Sequence, residues 1–398
     1  MPKLTATDVM PDFSAPHFYD TVRTLNFRGL ELGWLAINGY LISLAAMMYG
    51  LDVTFFRSQA DAGTKIGTFE TEFHKPTFYR ISDGKRAVHF WSSASQTSVT
   101  TAGARDTLDK IRTKPLLDKA NVRTPFGGHA TAKNLSILET FAKAGVDRVV
   151  VKPASGSGKK GVQTNLTLEN ARAYVLSAPD EVFVAEQYIR GKELRIQVVG
   201  DKVVTVLLQT PQHVVGDGLL TLQQLMDRRV AYRLRNPVRA DRLYDHSKLQ
   251  ARLKRGDLRP DMVPPKGKVI WLSPDSLVNQ GTEQADYMDR ATADLKQQAV
   301  KAARCFGLKI AGIDARMSNS GEVFILELNS KPGFDNSCFP IRGTWNLTVP
   351  DAIIKLHFPH LKREPRRVQS YDFMALADQF LRQPEVRVFK ANEFLRYA

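Results

Sequence analysis

Two short apolar runs, Gly312–Ser318 and Val323–Asn329, are joined by the polar turn Asn319-Ser320-Gly321 and read as paired strands. Asp314 lies on the first run; Glu327 and Asn329 lie on the second. Residues two apart on a strand project from one face, so Glu327 and Asn329 point the same way and Asp314 can join them. Two carboxylates and an amide oxygen are hard donors suited to Mg²⁺, an ion that commonly accompanies nucleotide phosphates. A solvated hairpin is the plainer alternative, but the polar residues are embedded among Val323, Phe324, Ile325, Leu326 and Leu328.

A second run, Val149-Val150-Val151-Lys152-Pro153, is a β-branched strand ending in a lysine. It leads into Ala154-Ser155-Gly156-Ser157-Gly158-Lys159-Lys160-Gly161, whose small residues allow backbone N–H groups to approach an anion. The spacing is not that of a Walker loop. Alone, the loop reads equally as a flexible surface segment; together with the hairpin it reads as a phosphate lid, with Ser155, Gly156, Ser157, Gly158 and Gly161 as candidate contacts. A third strand, beginning at Phe183 and ending at Glu186, runs into an exposed, mostly extended linker, Gln187-Tyr188-Ile189. Backbone groups of Glu186 to Ile189 can meet an adenine edge, and Glu193 can accept from ribose hydroxyls. Glu186 and Glu193 taken singly would be ordinary surface acids.

These pieces, in this order, resemble the ATP-grasp superfamily of carboxylate–amine ligases. The segment Asp109-Lys110-Ile111-Arg112-Thr113-Lys114, followed by Asn121-Val122-Arg123-Thr124-Pro125, is similar to the start of that family's ATP-binding half. There a lysine reaches the nucleotide phosphates, and Lys110 matches it. The likeness is to the cyanophycin synthetase and peptide-ligase branch, in Gly191-Lys192-Glu193-Leu194-Arg195, in Pro211 to Gly218 and in Phe339-Pro340-Ile341-Arg342-Gly343. It covers about residues 90 to 360. Two departures stand out. The branch's Asn-Leu-Ser-Thr-Gly-Gly element survives only in fragments within Trp271–Thr282, without its arginine. Lys331 stands after Asn329, where the family carries a small residue.

The resemblance implies an α/β (α+β) chain with an ATP-grasp fold. An N-terminal arm and α/β domain spans 1–104 and a helix with a small lid subdomain spans 105–190. A central antiparallel-sheet subdomain spans 191–360, with a mobile insertion near 220–265, and an extension spans 361–398. It implies ATP and Mg²⁺, with Mn²⁺ as an alternative ion held by Asp314, Glu327 and Asn329. Lys110 and Lys152 would grip phosphates, and Arg195 and Arg316 would face a carboxylate or acyl phosphate. The implied reaction is ATP-dependent amide formation through an acyl phosphate. A phosphotransferase on the same fold, and a non-catalytic nucleotide- or nucleic-acid-binding protein, remain open.

The elements that must position these residues follow from apolar patterning. Arg105–Ala120 shows a helical face at Leu108, Ile111, Leu116 and Leu117. A helix is expected near Leu32–Tyr49 with a strand at Val53–Phe56. The stretch Trp34–Leu51 is apolar enough to consider for a membrane, yet Asn38, Gly39 and Ser43 favour a buried helix. Ser93–Thr101, rich in Ser and Thr, reads as a linker or as a loop facing substrate. Asp289–Phe306 reads as a helix, and the first 20 residues as a loose arm.

At 398 residues and 43% hydrophobic content, the chain can form two or three packed subdomains. Its two cysteines, Cys305 and Cys338, and eight histidines lack zinc-ligand spacing. A cytoplasmic, reduced homo-oligomer without a membrane anchor is expected. The net charge of +15 is concentrated at Lys248–Arg259 and Lys362–Arg367. Either these are solvated faces or they attract an acidic small molecule or peptide. Nucleic acid ranks lower because no aromatic residues are interleaved with the basic ones.

Overall fold

A computed structural model describes residues 34–56, 78–155, 161–233, 236, 253, 256–272 and 282–361. The expected N-terminal arm, the extension after 361, the basic run 362–367 and most of 248–259 lie outside these residues. So does most of the departing element at 271–282.

The central sheet has the order β13-β10-β9-β14-β15, entirely antiparallel. Its strands are β9 (Gly191–Val199), β10 (Lys202–Thr210), β13 (Glu283–Asp286), β14 (Ile310–Ser318) and β15 (Val323–Asn329). One face presents Leu194, Ile196, Val198, Ala311, Ile313 and Ala315 to a helix at Ala293–Cys305. That helix starts where Thr292 accepts from the Leu295 amide at 3.2 Å, and it buries Leu295, Ala299, Ala302 and Ala303. The i, i+4, i+7, i+8 spacing makes one stripe, and three alanines allow close approach to the sheet. The opposite face carries Glu193, Arg195, Asp314 and Arg316.

The lid subdomain is a four-stranded sheet, β5-β8-β6-β7, made of Gly127–Ala130, Phe183–Gln187, Val149–Pro153 and Gln163–Leu166 respectively. Helices at Ser136–Lys143 and Leu168–Leu176 cover one face around Phe141, Val149, Val151, Val175 and Phe183. Strand alternation then turns Lys152 and Glu186 to the uncovered face.

The expected single helix over 105–120 is two, Thr101–Leu108 and Lys110–Lys119. Asp109 breaks it by leaving helical geometry to cap the second helix, accepting from the amides of Ile111 and Arg112 at 2.9 and 3.2 Å. An aspartate gains more as an N-cap than in a helix interior. Leu117 is buried as expected, but Leu108 is 76% exposed and Ile111 39%. The break leaves Lys110 as the first residue of the second helix.

The helix Trp34–Met48 and strand Asp52–Phe56 match the expected N-terminal elements. The strand joins Phe78–Ser82, Ala87–Trp91 and Ala94–Ser95 as β1 to β4. The helix is apolar almost all round because it is covered all round. Its Ile37, Leu41 and Leu44 share a core with Phe334, Phe339, Ile353, Ile354 and Phe358, so this unit packs against the end of the described chain. No described helix is long and apolar enough to cross a membrane.

Of the polar and basic stretch near 220–265, much of 234–255 lies outside the described residues. The helix Leu222–Arg233 packs with the strand pair His213–Val215 and Val269–Trp271 (β11 and β12). Leu222, Leu225, Met226, Leu258 and Ile270 form a small core there.

Candidate active site

The two carboxylates of the hairpin sit directly opposite each other, Asp314 on β14 and Glu327 on β15. A β-bulge achieves this. Ala315 pairs with Ile325, whereas Asp314 pairs with Glu327, so Leu326 is the extra residue. Val323 and Ile325 point into the core, and strict alternation would carry Glu327 in after them. The bulge switches the face, so that Leu328 is buried and Glu327 and Asn329 face the cleft. Asn329 pairs with Gly312, two residues before Asp314. Burial raises the Glu327 carboxyl above its ordinary value, and the Asp314 charge adds to this. Lys110, Lys152 and Arg195 pull it back only in part. Two hard carboxylates whose like charges are incompletely offset, with an amide oxygen beside them, suit a small divalent cation. Among the described residues no group of three or more His, Cys, Asp or Glu side chains could hold a metal ion.

The two arginines expected at the acceptor side have separate surroundings. Arg195, opposite Asp314 on β9, donates to its carboxylate at 3.0 Å. A Cβ on Gly312 would lie 2.4 Å from Arg195 Nη2 and 2.6 Å from Pro332 Cβ, so glycine is what leaves room for the guanidinium. Arg316 instead donates to Glu193 at 3.1 Å and to the Ile189 carbonyl at 3.2 Å, and it stacks over the Tyr188 ring. It is therefore tied to the linker after β8 and stands apart from the carboxylate pair. The sequence pattern correctly put Asp314 and Arg316 on one face but carried no information about partners two positions apart.

Lys110, Lys152, Glu186 and Glu327 line one pocket between the lid and the central sheet, open to solvent. Lys152 donates to Glu186 at 2.6 Å, with both side chains nearly buried. Burial lowers the Lys110 ammonium, which feels Glu327 and Glu186 as favourable and Lys152 as unfavourable neighbours. Lys114 was missed as a site residue. It lines the same pocket one turn after Lys110 and donates to Thr124 at 2.8 Å and to the Pro125 carbonyl. The signal was present as the i, i+4 spacing of the two lysines.

The linker Gln187-Tyr188-Ile189 is not the exposed, free segment that was expected. The Gln187 amide donates to the Phe126 carbonyl at 2.7 Å and the Tyr188 amide to Arg148 at 2.9 Å, while Ile189 is buried. Neighbouring chain satisfies these donors, as buried backbone requires. Glu186 and Glu193 are both buried, which removes the surface-acid alternative. Of the glycine-rich loop, Gly156, Ser157 and Gly158 lie outside the described residues. Ser155 is exposed, and Gly161 takes a positive φ of 69° with its carbonyl accepting from Tyr174.

Lys331, on the loop leaving β15, rests over the Trp91 ring with Nζ 3.2 Å from the centroid. Burial alone pushes its ammonium down to about 8. This contact between the hairpin loop and the N-terminal sheet had no periodic signal in either segment.

A family model described as an ATP-grasp domain matches residues 107–229. The glutathione biosynthesis bifunctional protein GshAB of Listeria innocua is 29% identical over 254 residues, 59% of this chain and 32% of the relative. The namesake of Pasteurella multocida is 28% identical over 274 residues, 64% and 36% of the two chains. A crystal structure of the bifunctional glutathione synthetase from Pasteurella multocida superposes with a TM-score of 0.58 at 21% identity, over 80% of this chain and 43% of that one. The chain thus spans about a third of the length of the curated relatives it matches. The fold is α/β ATP-grasp, as the motif order implied.

Proposed function

We propose that this ATP-grasp chain is an ADP-forming carboxylate–amine ligase. One observation carries the reading: Asp314 and Glu327 face each other across β14 and β15, and Lys110 and Lys152 converge from two other elements on the pocket that Glu327 lines. The relatives' named role in glutathione biosynthesis supports the same chemistry for this chain.

In this reading ATP is a substrate and Mg²⁺, or Mn²⁺, is held by Asp314, Glu327 and Asn329, where it neutralises phosphate charge. An oxygen of the substrate carboxylate attacks the γ-phosphorus, and ADP leaves with the electron pair of the broken P–O bond. The amine nitrogen then attacks the acyl carbon, phosphate departs, and the nitrogen loses its proton. Neither nucleophile asks for strong base assistance, so the protein's task is positioning and charge compensation. Lys110 and Lys152 hold phosphates; Lys114, anchored on Thr124, fixes the turn that presents Lys110. Arg195 lies between Asp314 and the loop after the hairpin, in reach of charge developing at the reacting end. Arg316 acts at one remove, holding Glu193 and Tyr188 for the nucleoside. Small amino acids or peptides are the substrate class, and a cytoplasmic setting suits an ATP-dependent chain with two free cysteines.

The test is ADP release with pooled amino acids as substrates, together with mass analysis of the product. Amine-dependent ADP formation and a product mass equal to acid plus amine less water are expected. ADP formation with phosphate retained on an acceptor hydroxyl would replace the ligase reading by phosphoryl transfer.

A further inference from the structure

Among the described residues, three cations of the central sheet and the lid are paired with carboxylates. Arg195 has Asp314, Arg316 has Glu193, and Lys152 has Glu186. Lys110 lies near both Glu327 and Glu186. Lys331 is half-buried, and among the described residues it has no hydrogen-bond acceptor and no carboxylate partner; its one contact of note is the Trp91 face. A cation over an indole recovers part of its lost hydration, and no protein acceptor takes up its N–H donors.

The loop that carries this lysine is held on both sides. Gln197 Nε2 donates to the Gly333 carbonyl at 2.9 Å, and the Phe334 amide donates to Asn38 Oδ1 at 2.9 Å. Lys331 is therefore anchored rather than a loose surface side chain. It is not among the residues that line the nucleotide-side pocket. Its backbone lies at most ~7 Å from that of Asn329, about the length of an amino acid or dipeptide. Just after Trp91, the buried hydroxyls of Ser93 and Ser95 have no hydrogen-bond partner.

We propose that Lys331, seated on Trp91 two residues after Asn329, binds a non-reacting carboxylate of the amino-acid or dipeptide substrate. This inference rests on the ligase reading for the substrate's identity, but the binding site itself can be tested without turnover. A carboxylate supplies acceptors for the ammonium and the missing negative charge. The N-terminal sheet then takes part in substrate choice through Trp91.

The experiment has two arms. In the first, mild acetylation of Lys331 is followed by peptide mass analysis in the presence of pooled amino acids and dipeptides, their carboxamides, inorganic phosphate, or a non-hydrolysable ATP analogue with Mg²⁺. Protection by the free carboxylates and not by the carboxamides is expected. Protection by phosphate or nucleotide alone, or by none of the probes, overturns the proposal in favour of a phosphate cation or a purely structural contact. In the second arm, Lys331→Met is expected to raise KM for the carboxylate substrate roughly tenfold or more, the range of a lost charged hydrogen bond, with KM for ATP unchanged. Lys331→Arg is expected to recover most of that loss. A lowered kcat with unchanged KM in both variants sinks the proposal. Absence of amine-dependent ADP formation in the wild type would defeat the ligase reading and leave the labelling result standing by itself.

Discussion

Lys152 and Lys331 are in opposite electrostatic states. The lid lysine is closed onto Glu186 at 2.6 Å. The hairpin-loop lysine has an aromatic face and no acid. On the lid side, a phosphate must compete with a carboxylate already in place, so binding there is an exchange of anions. At Lys331, an arriving carboxylate meets an unshared cation. The central sheet lies between these cases: Asp314 is neutralised by Arg195, while Glu327 is only partly offset and its carboxyl is raised. The charges of the cleft are thus left unbalanced where a metal and an acid substrate are proposed, and balanced where a nucleotide can displace a side chain.

The largest effect is expected at the unbalanced carboxylate. Glu327→Gln should slow ADP formation at least ~100-fold, the scale of losing one strong electrostatic stabiliser. Steady-state assays at saturating Mg²⁺ check this, and near-normal turnover would break the assignment. The same substitution should stabilise the metal-free fold at neutral pH. The folded-state pKa of Glu327 is raised above the ordinary 4.5, so its stabilising contribution is complete below 4.5 and is lost as pH climbs through the folded value. Thermal melts should therefore place the glutamine variant above wild type at pH 7, with the gap closing near pH 4. A higher melting temperature for wild type at pH 7 without metal would show that Glu327 is adequately paired.

Lys152→Ala should weaken ATP binding by roughly 1.5–3 kcal/mol by calorimetry. Because it also leaves Glu186 buried without its cation, some of the damage is to the fold. Adding Glu186→Gln should recover melting temperature but not nucleotide affinity. If affinity returns with the double change, Lys152 acts only as the counter-ion of Glu186.

Gly312→Ala probes the seat of Arg195. The added methyl meets the guanidinium and Pro332, an overpacking cost of about 1–3 kcal/mol. We expect a lower kcat with ATP affinity nearly unchanged, because the lid lysines are untouched. A fall in ATP affinity alone would place Arg195 with the nucleotide.

The smallest effect concerns the basic runs. Replacing Arg252, Lys254 and Arg255 with Ser should raise KM for the carboxylate substrate at low salt and leave it unaltered at physiological salt, where charges beyond ~8–10 Å are screened. A KM that is flat with ionic strength in both proteins would confine recognition to the cleft.

Much of this site could be read along the chain. The strands bearing Asp314, Glu327, Asn329 and Lys152 are short apolar runs with clear turn signals; a period of two assigns the faces of Asp314 and Lys152 and puts Glu327 and Asn329 on one side together. The buried N-terminal helix and the helix before the hairpin follow from their apolar patterning. Less was legible where one residue overrides a pattern. Asp109 ends a helix that Leu108 and Ile111 would continue, since a side-chain carboxylate capping two amides outweighs weak propensity. The bulge at Leu326 turns Glu327 out of the core, a result of cross-strand register that neither strand specifies alone.

The sequence by itself determined which groups were available, on which elements, and in what order, because local periodicity and turn chemistry act over a few residues. Tertiary structure decided the pairing: Arg195 with Asp314, Arg316 with Glu193, Lys152 with Glu186, and Lys331 with Trp91 alone. Those partners are separated by 34 to more than 200 residues in the chain. Charge compensation depends on distances of a few ångströms in space, and only the packing of sheets and helices brings such remote positions that close.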